Sequence, residues 1–547
     1  MRTHDACSIL LPGATAVLTL ALLVPVSAPA TDRADLGELD GHVAQVLERL
    51  HVPGMAIAIV KDADVVLSRG YGVRQAGEPG PVDDETRFGI ASNSKAFTAA
   101  ALSILVEEGE VAWNDPVTRH VPELQMYDPW VSREITVRDL VTHRSGLGLG
   151  AGDLMWWPPT DFTRQEILRG VRHLKPASSF RSTYAYNNIM FVVAGEVVAR
   201  ASGRTWGEFL RERILEPLGM DRTTTTAAVL EPGDGVATPH VEVGGRAEPI
   251  RLMSFENAAG AVGVNSTAAD MARWLRMLLE CREEDSIPED QECVLTPDSI
   301  QRMWWPQMVM APRKRPEGFE FLETDFAAYG LGFGLREYQG HKVVRHTGAV
   351  PGYYSSVTFV PDEGLGIAVL SNQESGAALN AVTQHILDAF LGAPEPPVDW
   401  LETFVELAAV EAKKAEEKVA KERAARNPDT RPSLALSGYA GAYRDPWYGE
   451  VTIVEEGGRL VLDMTRTPRM LADLEHWQHD TFVARWRETW MSDHSPYEAF
   501  VTFALEPGGT VERMTMTPVS PAIDFSFDFQ DLVFEPVPAD GEPTAKD

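Results

Sequence analysis

Ser92 stands three residues before Lys95, at the start of the apolar run Phe97-Thr-Ala-Ala-Ala-Leu-Ser-Ile-Leu105. Residues at i and i+3 are neighbours on a helix, so hydroxyl and amine share a face. A serine hydroxyl is a weak nucleophile until a nearby base takes its proton. A lysine can be that base only where burial or positive neighbours lower its pKa from about 10.4 toward neutrality. The positive end of a helix dipole disfavours the ammonium and favours a developing oxyanion. Ser-x-x-Lys alone is a weak signal, because an N-capping serine followed by a solvated lysine has the same spelling.

Two later stretches carry compatible chemistry. Tyr186-Asn-Asn188 precedes the apolar run to Val198. A tyrosine two residues before an asparagine at the head of a helix can present a phenol and an amide to one cleft. As phenol or phenolate near Lys95, Tyr186 could relay a proton between nucleophile and leaving group; taken alone, the stretch also fits a core aromatic. His346-Thr347-Gly348-Ala349 lies among strand-forming residues, and Gly348 lets a backbone edge approach a ligand closely. The glycines at 146, 148, 150 and 152 follow a helical pattern and no strand, so they fail the context required of a dinucleotide loop and read as a flexible loop. His143 reads as a satisfied structural histidine.

The elements that must position these groups come from a chain of 547 residues, long enough for two or three domains. Before the serine come a helical pattern through Leu36, Leu39, Val43 and Leu50 and a hairpin of 55–60 with 65–68. A net charge of −31, from 80 acidic and 49 basic residues, opposes binding to nucleic acid or anionic membranes. Arg2, the apolar run from Ile9 to Val26 and Ser27-Ala-Pro-Ala30 read as a secretory signal peptide. Its cleavage would leave no stable membrane span and an exported protein, periplasmic or secreted; a retained anchor is the alternative. In an oxidising compartment Cys281 and Cys293 are a candidate disulfide. The pair His476 and His479 is isolated from other ligands, so neither a metal nor a cofactor is expected. The sequence says nothing of oligomeric state.

Beyond Pro394 the composition changes. Residues 397–430 read as a polar linker helix rich in Ala, Glu and Lys. From 431 to 536 the period switches to two, with a hairpin around Gly457-Gly458, predicting a small β-barrel or sandwich that folds apart from the rest. Residues 537–547 read as an acidic tail.

Ser92-x-x-Lys95, Tyr186-x-Asn188 and His346-Thr-Gly348, in this order, resemble the signature of the penicillin-recognising serine hydrolases, in particular the class C β-lactamase and DD-peptidase group. Pro53-Gly54, Gly70-Tyr-Gly72, Leu140-Val-Thr-His-Arg-Ser-Gly-Leu147 and Pro217-Leu-Gly-Met220 are similar to its recurrent phrases, and the likeness covers roughly residues 33–393. The resemblance implies an α+β fold for residues 31–396, an antiparallel sheet with helices beside an all-helical lobe and a cleft between them. The C-terminal segment resembles a lipocalin-like domain appended to some members. Implied roles are Ser92 as acylated nucleophile, Lys95 as its base, Tyr186 as proton shuttle and Asn188 as holder of the substrate amide. His346, Thr347, Gly348 and Ala349 would bind substrate, and the N–H groups of Ser92 and Ala349 would form the oxyanion hole. The implied activity is hydrolysis of a small peptide, amide or ester; a carboxylesterase without β-lactam activity, or a silent binding or sensor protein, are the rivals. His346 departs from the lysine usual before Thr-Gly. An imidazole of ordinary pKa near 6.5 would be roughly one quarter protonated at pH 7, predicting that neutral esters or amides are turned over at neutral pH at least as well as carboxylate-bearing ones, with the preference swinging toward carboxylates as pH falls through the imidazole pKa.

Overall fold

A computed structural model describes residues 36–230, 233, 235–284, 287, 293–395, 397–488 and 497–538. The signal-peptide reading and most of the acidic tail lie outside them. Eight antiparallel strands form the main sheet, in the order Asp64–Gly72, Gly54–Lys61, Leu365–Ser371, Tyr353–Val360, His341–Val350, Gly334–Tyr338, Ala327–Tyr329 and Met308–Met310.

The second of these strands shows how sequence sets the layers. It alternates Ala-Ile-Ala-Ile and is buried on both faces. Ile57 and Ile59 join a core with Leu39, Val43 and Val46 of the first helix and Leu379, Val382 and Ile386 of helix Gly376–Leu391. Ala56 and Ala58 point the other way, since side chains alternate along a strand. There their small size lets helix Ala268–Glu280 lie close against the sheet. Beyond it sits the helical lobe, centred on Ser94–Glu107 and Asn188–Ser202, both buried over most of their length. The latter is capped by Asn187, whose Oδ1 accepts from the N–H of Met190 (3.1 Å), and ends at Gly203 with φ 70°. Cys281 and Cys293 form the expected disulfide, with Cα atoms 5.8 Å apart.

The helix expected as a linker, Trp400–Ala425, starts inside the first core. Trp400, Phe404 and Leu407 recur at helical spacing and are buried, after which its face is polar. Eight further strands, from Gly441–Asp445 to Val533–Pro536, close into a barrel. Among the described residues no helix is long and apolar enough to cross a membrane.

The barrel does not stand apart, which corrects the sequence expectation. Its buried side chains and those of the helical lobe form one continuous cluster. At the seam Phe162 packs edge-on to Tyr448 (5.7 Å between centroids) and Trp157 edge-on to Phe527 (6.4 Å). Arg466 lies over Phe162 (3.9 Å) and pairs with Asp161 (2.6 Å) and Glu166 (3.1 Å). The Asp528 carboxyl accepts from the N–H groups of Gly152 (2.6 Å) and Leu154 (3.2 Å). The glycines read as a flexible loop are what admits the barrel. Gly150, at φ +69°, would place a Cβ 2.5 Å from the carbonyl oxygen of Phe525, so any side chain there would force the seam apart.

Candidate active site

Ser92 lies on a single 3₁₀ turn, Ala91–Asn93, immediately before helix Ser94–Glu107. Ala91 adopts φ 49°, a left-handed conformation that costs a residue with a Cβ roughly 1–2 kcal/mol, and the surroundings hold it there. Asn93 Nδ2 donates to Ser355 Oγ (2.8 Å), which donates to the Ile90 carbonyl (2.7 Å). Ser94, the other serine of the motif, accepts from the Val264 N–H (2.9 Å) and is fully buried.

Lys95 is enclosed completely. Its Nζ donates to Ser92 Oγ (2.9 Å), to Asn188 Oδ1 (2.7 Å) and to the Ala261 carbonyl (3.1 Å). Desolvation pushes its pKa from 10.5 down to about 7, opposed by the charge of Asp153. The sequence pattern gave spacing; the burial that makes the amine a usable base comes from packing between the two central helices of the lobe.

Tyr186 brings its ring 4.9 Å from Lys95 Nζ, and its phenol hydrogen-bonds to Ser92. Burial lifts its pKa well above 10, so of the two forms weighed from sequence the neutral phenol is the one present. Asn188 is more occupied than its expected role requires. Its Oδ1 accepts from Lys95, while its Nδ2 donates to Asp153 Oδ2 (2.7 Å). One amide hydrogen is left to face the cleft.

Asp153 has no precedent in the sequence reading. It is fully buried and also accepts from Trp156 Nε1 (2.9 Å) and from Ser526 Oγ of the barrel (2.9 Å). Desolvation raises its pKa to about 7, moderated by these three donors and by Lys95. A chain of contacts therefore runs from the barrel through Asp153 and Asn188 to the amine beside Ser92.

The strand His341–Val350 forms the opposite wall. A Cβ on Gly348 would fall 2.1 Å from the Ile90 carbonyl oxygen and 2.8 Å from the Ser92 nitrogen, so glycine is required for the strand to touch the serine turn. Thr347 and Ala349 line the cavity with Ser92. His346 Nε2 meets the Tyr329 hydroxyl (3.0 Å) and Nδ1 the Thr347 carbonyl (2.7 Å). Burial, with the nearby Lys95 charge, pulls its pKa down to about 3. The expectation of a partly protonated imidazole is thereby corrected: His346 is neutral across the physiological range. His143 is likewise buried and held well below its ordinary pKa; its Nδ1 accepts from the Asn187 N–H (3.0 Å) and its ring packs on Tyr186 (4.3 Å).

The cavity, about 460 Å³, is also lined by Trp156, Trp157, Tyr184, Tyr329 and, from the barrel segment, Asp524 to Ser526. No local signal marked Asp524 to Ser526, since their place depends on docking between distant parts of the chain.

Comparison with known proteins accords with this geometry. Residues 39–389 match the Beta-lactamase family model, and residues 425–536 match a domain of unknown function (DUF3471). The chain is similar to Unguisins hydrolase ungD' of Aspergillus campestris, 30% identical over 442 residues that cover 77% of this chain and 78% of that one. Unguisins hydrolase ungD of Aspergillus violaceofuscus is 26% identical over 521 residues, 88% of both chains. Protein flp of Staphylococcus aureus is 24% identical over 359 residues, 62% of this chain and 63% of that one. In structure it resembles the octameric penicillin-binding protein homologue from Pyrococcus abyssi (TM-score 0.58, 23% identity, 91% of this chain and 99% of that one). It also resembles SurE (TM-score 0.53, 20% identity, 92% and 98%). With a family model over most of its length and a relative sharing 30% identity across most of both proteins, the chain belongs to the Beta-lactamase family, as a serine hydrolase.

Proposed function

We propose that this hydrolase is exported and works through an acyl-enzyme on Ser92, with a small peptide, amide or ester as substrate. The observation that carries the reading is the contact of 2.9 Å between Lys95 Nζ and Ser92 Oγ, with the amine's pKa brought down to about 7. Near neutrality a large share of Lys95 is unprotonated and can accept the serine proton as Oγ attacks the carbonyl. The oxyanion that forms is taken by the N–H groups of Ser92 and Ala349. The Tyr186 phenol, hydrogen-bonded to Ser92, passes a proton to the leaving group and is replenished from Lys95. A water then enters, Lys95, neutral again after reprotonating Tyr186, takes its proton as the oxygen attacks the acyl carbonyl, and that proton passes to Ser92 Oγ as the acyl group leaves as the acid. The names of the two unguisins hydrolases favour hydrolysis over silent binding. Export rests on the apolar segment and small-residue site before residue 31.

Labelling with a fluorescent phosphonate and mass spectrometry of the modified peptide test the reading. Ser92→Ala abolishes labelling while the melting temperature stays within about 3 °C, as for loss of one hydroxyl at a cavity wall. Labelling that persists, or maps to Ser94, overturns it. The rate of labelling rises with pH through about 7, as Lys95 loses its proton. Intact-mass analysis of exported protein checks the leader.

A further inference from the structure

Three residues of the barrel domain, Asp524, Phe525 and Ser526, reach the cavity that holds Ser92. They lie between the last two barrel strands, Val511–Pro518 and Val533–Pro536. Two of them are tied into the fold: Ser526 Oγ donates to Asp153, and Asp524 Oδ1 accepts from the Ser526 N–H (2.8 Å). Phe525 has no such task. Its ring rests on Gly150, where a Cβ would fall 2.8 Å from Cδ2, and meets the Tyr186 ring edge-on (5.8 Å between centroids). The rest of it is open. Phe525 is 39% exposed, and among the described residues it is the one strongly exposed large apolar side chain that lines this cavity.

The wall that Phe525 joins is aromatic and held in place. Trp156 is fixed through its indole N–H on Asp153 (2.9 Å), Trp157 stacks on Phe255 (5.6 Å), and Tyr184 packs edge-on to His143 (5.6 Å). A wall of locked rings receives a ligand with little ordering cost, and apolar surface that a ligand takes out of water contributes directly to binding. The cavity's own chemistry says what covers Phe525. Because the same space holds Ser92, the occupant is part of the compound that Ser92 attacks. Tyr186 says which part: its phenol gives a proton to the leaving group in the steps above, so a ring packed on Tyr186 borders the atoms beyond the leaving atom. An aromatic ring there meets Phe525 edge-on or offset, the arrangements that the ring quadrupoles favour.

We propose that Phe525 is a specificity-determining residue delivered to the cleft by the barrel, and that the preferred substrates carry an aromatic or similarly bulky apolar group on the leaving side of the scissile bond. This rests on the acyl-enzyme reading of Ser92. The competing role is structural, a ring that only fills the seam between Gly150 and Tyr186.

Two acetate esters with leaving alcohols of similar basicity, 2-phenylethyl acetate and ethyl acetate, separate the roles on the full chain. The wild type favours the phenylethyl ester in kcat/KM by about 10–100-fold. Phe525→Ala cuts that ratio at least about fivefold, and Phe525→Leu, which keeps apolar bulk, retains most of it; Phe525→Val serves should the alanine variant not fold. A wild-type ratio near one, or a ratio that stays put while both rates fall together in Phe525→Ala, overturns the proposal. A second pair, 4-nitrophenyl 3-phenylpropanoate and 4-nitrophenyl butyrate, places the ring on the acyl side; a larger loss of discrimination there overturns the leaving-side assignment. Thermal-shift titration of Ser92→Ala tests the wall without turnover. N-(2-phenylethyl)acetamide stabilises that protein more than N-ethylacetamide does, and adding Phe525→Ala removes the difference. Equal shifts before that change overturn the wall, whether or not the esters are turned over. A phenylethyl preference in the titration, with turnover and phosphonate labelling both absent from the wild type, sinks the acyl-enzyme reading alone.

Discussion

Asp139 and Asp153 are both fully buried carboxyls in the helical lobe, and their surroundings give them opposite characters. Asp139 is gripped by Arg144 (2.6 Å) and Arg181 (2.6 Å) and by the hydroxyl and N–H of Thr136, which together hold its pKa below the usual 3.8. Asp153 meets only neutral donors directly, an indole, an amide and a hydroxyl, and burial lifts it to about 7. Depth alone therefore does not set the role of a buried acid. Cationic partners make Asp139 a permanent anion that fixes the loop between His143 and Tyr186. Neutral partners leave Asp153 an acid that holds its proton toward neutrality, two side chains away from Ser92.

The comparison can be broken in four ways, of decreasing effect. A chain ending at residue 396 removes Ser526 and Asp528 from around Asp153, leaves Asp139 untouched and uncovers Trp157 and Phe162. Its phosphonate labelling falls by about 100-fold or more, the scale of a misplaced catalytic group, or the fragment aggregates; a monodisperse fragment that labels at the full rate contradicts the seam. Asp139→Asn strands two arginines and destabilises the fold by about 3 kcal/mol in urea unfolding, while the pH dependence of labelling stays where it was. Asp153→Asn does the reverse. Stability changes by no more than about 1 kcal/mol, the maximal rate falls about fivefold, the worth of one hydrogen bond, and the rising limb moves to lower pH because Lys95 loses the negative neighbour that raises its pKa. An unmoved limb would separate Asp153 from the amine. Ser526→Ala is the mildest, costing about 1 kcal/mol at pH 8, where Asp153 is ionised and needs the donor, and less at pH 5. Melting curves at the two pH values check it.

The same pair has opposite linkage signs. The depressed pKa of Asp139 contributes stability that is present above 3.8 and lost as pH falls through its lowered value. The raised pKa of Asp153 contributes stability present below 3.8 and lost as pH rises toward about 7.

Local pattern was enough for much of this. Ser92, Lys95, Tyr186 and Asn188 sit at helix starts, where spacing and apolar periodicity are visible, and His346 to Ala349 sit in a strand flanked by others; Ser92, Tyr186, Asn188, His346, Thr347 and Ala349 line one cavity, with Lys95 and Gly348 against Ser92 behind its wall. The C-terminal β domain was legible from its period of two, which left barrel and sandwich open; the strand pairing closes it into a barrel. Asp153 was hidden because its loop is spelled with glycines, which say only that the backbone turns. The ionisation of Lys95 and His346 was beyond a sequence argument, since it follows from desolvation by residues far away in the chain.

The hydrogen bond from Ser526 to Asp153 joins residues 373 positions apart. Contacts of such long range cost loop-closure entropy before they contribute stability. A ribosome that has synthesised Ser92, Lys95, Tyr186 and His346 has not yet made the residue that finishes their surroundings. During synthesis the hydrogen-bond partners of Asp153 are therefore completed by one of the last segments to be made.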